Sequence, residues 1–107
     1  MIDSALFQRR LSWEDARAFE DAHVDFFASE DADAAPLPME VVSVTGRPAT
    51  AGGRQFSIVF RGPRAPALPQ RTYRVRHPVL GDFAIFVTPV AQSAEWTDYE
   101  ACFAHVD

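Results

Sequence analysis

Three histidines, one cysteine and ten arginines are the side chains of this 107-residue sequence best suited to chemistry. His23, His77 and His105 would hold a metal only if the fold gathered them. No two stand at the H-x-H or H-x₃-H spacing that puts two ligands on one face of an element. Cys102 and His105 are three residues apart, and on a strand that spacing sends their side chains to opposite faces. The hydrogen bond that activates a thiol nucleophile therefore cannot form between them. Glu100 lies close by, and a carboxylate disfavours the thiolate, so Cys102 is expected as a packed or half-packed, inert thiol. His77 precedes Pro78 and reads as a turn residue whose ring bonds nearby backbone.

Other chemistries lack their signatures. No serine occupies a G-x-S-x-G elbow. Gly52-Gly53-Arg54 has neither the K-[ST] pair nor the following helix of a phosphate cradle. The acidic stretch 30–35 (Glu30, Asp31 and Asp33 among alanines) lacks the glycine and ligand spacing of a calcium loop and is expected as an exposed turn. These readings point to a chain that is not an enzyme and uses no cofactor and no metal.

The arginines suit binding. Arg74 and Arg76 alternate with Tyr73 and Val75, so they share one exposed strand face, with Arg61, Arg64 and Arg71 near the adjoining turns. Guanidinium forks match carboxylates. These five are the candidate partner-binding residues, and the expected partner is a protein or a second copy of the chain. In the favoured arrangement the Arg face meets the acidic segment 30–33 of a neighbouring copy. Reversing the charges of Arg74 and Arg76 is then expected to abolish capture at almost no cost in melting temperature. Nucleic acid is not expected, because the net charge is −5 and overall attraction to phosphate is absent. Residues 1–45 hold ten acids and three arginines, and residues 46–107 hold five acids and seven arginines, so the front is acidic and the back mildly basic. All ten basic residues are arginine, and asparagine is absent. That usage reads as the codon bias of a GC-rich bacterial genome.

The length fits one domain, 1–107, and the composition, 48% hydrophobic with nine phenylalanines, suits a packed core. One cysteine excludes an intrachain disulfide. The N-terminus lacks a signal-peptide pattern, and no run approaches the ~18 apolar residues of a membrane span. A cytoplasmic location without membrane contact is expected.

Ser12-Trp13-Glu14-Asp15 is a capping box, and Trp13, Ala16 and Phe19 recur at helical spacing. A helix is expected over 12–22, with 1–11 either a further turn or loose. Period-two alternation then predicts strands over 23–29, 38–45, 55–61, 72–77, 82–89 and 96–105. Flexible loops are expected at 46–54 and 62–70, with Gly62-Pro63 stopping the third strand. In the fifth strand Phe83, Ile85 and Val87 share one side, and Phe86 on the other is expected under the helix. The fold class is mainly β: a small six-stranded antiparallel barrel or sandwich with a short N-terminal α-helix.

Phe56-Ser57-Ile58-Val59-Phe60-Arg61-Gly62-Pro63, Leu68-Pro69-Gln70, Thr72-Tyr73-Arg74, His77-Pro78, Leu80-Gly81, Phe86, Pro89-Val90 and Tyr99-Glu100-Ala101-x-Phe103 form a series. With Leu11-Ser12-x-Glu14-Asp15 at its start, it resembles a family of small bacterial domains of unknown function over about residues 11 to 103. The longer acidic loop and Arg71, where glycine is more usual, depart from that pattern. The resemblance implies an accessory domain of phage-tail-collar-like or tail-fibre-like gene neighbourhoods and supplies no catalytic residues. The resulting reading is a non-enzymatic structural or protein-interaction module. The alternatives are a small-ligand-binding barrel, with a cavity lined by Phe56, Phe60, Tyr73 and Phe83, and an enzyme of unrecognised type.

Overall fold

A computed structural model describes residues 4–29, 35–48 and 53–106. Two short helices, α1 (Ser4–Gln8) and α2 (Trp13–Ala18), precede six strands. These are β1 (His23–Phe27), β2 (Leu37–Pro48), β3 (Gly53–Pro63), β4 (Arg71–His77), β5 (Gly81–Gln92) and β6 (Trp96–Val106). Every pairing is antiparallel, and the ring closes in the order β1-β2-β3-β6-β5-β4. Of the two expected architectures, the barrel is the one formed. It consists of two three-stranded meanders joined by the crossover 64–70 and sewn together along two seams, β3 to β6 and β1 to β4.

Alternation fills the interior. Phe26, Phe60, Tyr73, Phe83, Ile85, Val87 and Tyr99 all point inward and are buried. The ring of Phe26 stands 5.1 Å from Phe60, 5.9 Å from Tyr73 and 6.4 Å from Tyr99. Each such aromatic removes about 150–250 Å² from water, which explains how so short a chain closes a barrel without covalent help.

The barrel's two ends are stoppered differently. At one, α2 delivers Phe19 into the mouth, against His77 at 4.8 Å, Phe83 at 5.9 Å and Phe60 at 6.3 Å. The capping box forms as expected: Asp15 N–H donates to Ser12 Oγ and Ser12 N–H to Asp15 Oδ2, each at 3.1 Å. The helix stops at Ala18, however, short of the expected 20–22. Asp21 takes φ 58°, a left-handed turn that carries the chain into β1. Residues 4–8, expected as helix or loose, form α1 beside β5. Arg9 Nη1 donates to Asp82 O at 2.9 Å, and its guanidinium lies 3.8 Å over Phe83. Phe86 does not pack beneath a helix; it is 53% exposed on the outer face. The helix α2 sends Phe19 into the barrel's end, and α1, which lies beside β5, leaves Phe86 uncovered.

At the other end Leu68 is the stopper, and its N–H donates to Tyr99 Oη at 2.8 Å. Tyr73 Oη donates to Pro69 O. The crossover, expected as a flexible loop, is thus pinned by two tyrosine hydroxyls. Burial raises the pKa of Tyr73 above the ordinary phenol range, with Arg71 opposing.

The strands also outrun their expected bounds. Gly46–Pro48 and Gly53–Arg54 extend β2 and β3 through most of the expected loop, whose tip 49–52 lies outside the described residues, as does 30–34 of the acidic turn. Gly62 and Pro63 continue β3 where a stop is expected. Gly46 and Gly62 are packing glycines: a Cβ on Gly46 would strike the Trp13 ring, and one on Gly62 would strike Met39 Sδ. Sequence alone cannot separate that need from a turn.

The ladders give out before the long strands do. β1 pairs with β2 only as far as Glu40, and β5 with β6 only between Thr88–Gln92 and Thr97–Glu100. Past those points β2, β3 and β6 continue together as a three-stranded wing. Trp13 covers its inner face, tilted 5.5 Å from Phe56, which in turn stacks on Phe103 at 4.8 Å.

Candidate interaction surface

The five candidate arginines do not form one patch. β3 and β4 lie three places apart in a ring of six, so Arg61 and the β4 arginines occupy opposite sides of the barrel. On the β4 side, Arg76 Nε and Nη2 grip Asp82 Oδ1 and Oδ2 at 2.7 and 3.1 Å. Arg74 Nη1 donates to Asp82 Oδ2 at 3.0 Å. Both guanidiniums lie over Phe27, at 3.8 Å for Arg74 and 5.0 Å for Arg76, and the ring they cover is buried. The bonds from Arg76, then Arg74, hold the Asp82 carboxyl below its ordinary range against the opposing effect of burial. Arg71 donates to Ala28 O at 2.9 Å and lies 5.0 Å over Tyr73.

On the opposite side Arg61 makes a two-pronged bond to Asp98, at 2.8 and 3.0 Å, and lies 4.4 Å over Trp96. Arg64 reaches Ser93 O at 3.3 Å. Each of the five is engaged within its own chain. Two-pronged and ring-covering contacts make Arg61, Arg74 and Arg76 structural, and of the three only Arg76 is exposed while Arg61 and Arg74 are half-buried. The expectation that Arg74 and Arg76 can be reversed freely therefore fails on its physical premise: reversal would set three carboxylates together over an uncovered Phe27. The partners Asp82 and Asp98 went unread in the sequence. A hairpin register drawn from the 78–80 turn sets Arg76 opposite Asp82, and that signal could have found the first of them.

His77 behaves as the sequence implies, and with more consequence. It is buried, and its Nδ1 accepts N–H bonds from Val79 and Leu80, both at 3.0 Å. Nδ1 therefore carries no proton, and Nε2–H donates to Ala18 O at 3.0 Å. One ring shapes the β4–β5 turn and ties down α2. His23 begins β1, and the side chain of His105 lies outside the described set. Among the described residues, no three His, Cys, Asp or Glu side chains converge as a metal site requires, and no helix is long and apolar enough to cross a membrane.

A large recess lies on the wing. It is an open hollow of about 570 Å³ lined by Thr45, Gly46, Gln55, Phe56, Ser57, Cys102, Phe103 and Ala104. Thr45, Ser57 and Cys102 form one outward row across three paired strands. The hydroxyls of Thr45 and Ser57 bond each other at 2.9 Å. Cys102, expected packed or half packed, is exposed. Its pKa is raised, first by desolvation and then by Glu100, so the thiol form prevails. Small side chains at alternate positions on three strands become a floor only once their register is known, which is why the sequence hides this surface. At the lining expected for a ligand-binding barrel, Phe56, Phe60, Tyr73 and Phe83 are at most 4% exposed, and the Phe26 ring packs against Phe60 and Tyr73.

Comparison with curated proteins and with solved structures finds no significant match to this chain. A family model does match, and it covers residues 11–103, from the buried Leu11 ahead of α2 to the Phe103 that stacks within the wing. The chain belongs to the domain of unknown function family DUF6916.

Proposed function

We propose that this domain is a non-catalytic module that holds a protein partner on the outer face of its wing. The observation that carries the reading is the contrast between a filled, pinned barrel and an open hollow floored by small side chains. A barrel packed this way is a rigid base, and rigidity lowers the ordering cost of binding. A shallow floor of Thr45, Ser57, Cys102 and Ala104, with Gln55 beside Ala104, admits a partner's larger side chains at close range. The arginine faces are secondary contacts, since their guanidiniums already serve the fold. The tail-like assembly implied by the family resemblance is the setting in which the partner is sought.

The test is co-purification from the native host at fixed stoichiometry, followed by Ala104→Arg. Ala104 is exposed on the hollow's floor, so the substitution fills the recess without touching the core. Loss of the partner with an unchanged melting temperature is the expected result. Retention of the partner by Ala104→Arg, with loss on Arg71→Glu, would move the surface to β4. Turnover of a small substrate by the purified domain would overturn the non-catalytic reading.

A further inference from the structure

Between Gly81 and Val87, β5 has β4 on one side and, among the described residues, no strand on the other, because its ladder to β6 begins only at Thr88. Strand backbone left open in this way is a hazard, and one remedy is to lay a helix along it. α1 holds that place beside β5. Few of its side chains leave water: Leu6 is half-buried, and the other four residues are exposed. Arg9, next after the helix, adds two specific contacts. Its Nη1 donates to Asp82 O at 2.9 Å, and its guanidinium lies 3.8 Å over the Phe83 ring. The Asp82 carboxylate is held separately by Arg74 and Arg76, which fixes the carbonyl that receives Arg9.

The bond to Asp82 O also identifies the backbone that α1 faces. Along a strand, the N–H and C=O of alternate residues point to the same side. Asp82 and Ala84 therefore turn theirs away from β4, and Phe83 and Ile85 turn theirs toward it. A helix of five residues does not persist alone in water, where about 12–15 are needed. α1 is helical only while docked, so undocking and melting are one event. Leu11, buried in the core, marks where that event stops.

We infer that α1 and Arg9 form a strap over the open edge of β5, latched by the Arg9 guanidinium and able to open as far as Leu11 without unfolding the barrel. Its release uncovers the backbone of Asp82 and Ala84 and one face of Phe83. This surface is separate from the wing, and the inference does not depend on what the wing binds.

Amide exchange of the full chain, followed by NMR across low denaturant concentrations, tests the strap. In wild type the Asp82 and Ala84 amides should be protected, yet exchange through an opening smaller than the one that frees Phe83 and Ile85, with little dependence on denaturant. Arg9→Ala should speed exchange at Asp82 and Ala84 about tenfold and leave Phe83 and Ile85 unchanged. Arg9→Lys keeps a cation and a donor but loses the planar fork, and should give a smaller acceleration at the same two amides. The Lys variant carries the test if the Ala variant does not fold. Unprotected Asp82 and Ala84 amides in wild type, no acceleration on loss of the guanidinium, or equal acceleration at Phe83 and Ile85 would overturn the inference.

Discussion

The barrel body and the wing are made of the same strands, yet they solve the backbone problem in opposite ways. In the body, closure gives each strand two neighbours, and the interior aromatics are buried against one another. In the wing, three strands have two edges, and one indole covers the inner face. The difference shows what a closed ring achieves: it removes edges by geometry, whereas an open sheet has to leave them to solvent, helices or partners. Stability belongs to the body and availability to the wing.

The strongest way to break the contrast is from the centre. Phe26→Ala deletes the ring that touches Phe60, Tyr73 and Tyr99 and should cost about 3–5 kcal/mol, read by denaturant unfolding. A loss under ~1 kcal/mol would mean the interior is less filled than its contacts imply. Trp13→Ala should act on the wing alone. We expect about 2 kcal/mol, with hydrogen exchange accelerated at the amides of Gly46, Phe56 and Phe103 well before those of β4. Uniform acceleration would erase the distinction between the two regions.

Asp82→Asn probes the body's outer surface. It weakens the grip of Arg74 and Arg76 and should cost about 1–2 kcal/mol at neutral pH. The carboxyl's pKa is lowered in the folded state, so its contribution is fully present above the unfolded carboxylate range. That contribution fades as pH falls through the folded value, below about pH 4. Wild type should lose its advantage over the variant in that acid window, and a constant gap down to pH 2 would contradict the assignment. The smallest effect is expected at Asp21, where glycine fits φ 58° without a Cβ penalty. Asp21→Gly should raise stability by about 0.5 kcal/mol, and a measurable loss would show that the Asp21 side chain contributes more than its backbone strain costs.

The parts of this molecule that repeat locally were legible in its sequence. Period two marked all six strands and sorted Tyr73 and Val75 inward from Arg74 and Arg76, as found. The Ser12 capping box was readable because it closes within four residues. His77 was readable as a turn residue, since two of its three bonds are local. What depends on register was not legible. Gly46 and Gly62 looked like loop signals because the Trp13 and Met39 atoms that require them arrive from elsewhere in the fold. Phe86 looked like a core residue because its type outweighs its face, and the hollow on the wing exists only when three strands are aligned. The arginines were visible as charges, but their division between opposite sides of the ring is a property of strand order.

That strand order also bears on how the molecule forms. Each meander can zip through neighbouring strands, but the seams join Phe26 to Val75 and Ser57 to Cys102, residues far apart along the chain. Hairpins form in about 1–10 μs, whereas topologies rich in distant pairings fold in milliseconds to seconds. The meeting of two half-shells is therefore the expected slow step. A stopped-flow experiment should find that weakening a seam, for instance with Ser57→Gly, slows refolding more than an equal loss of stability placed in the β4–β5 turn.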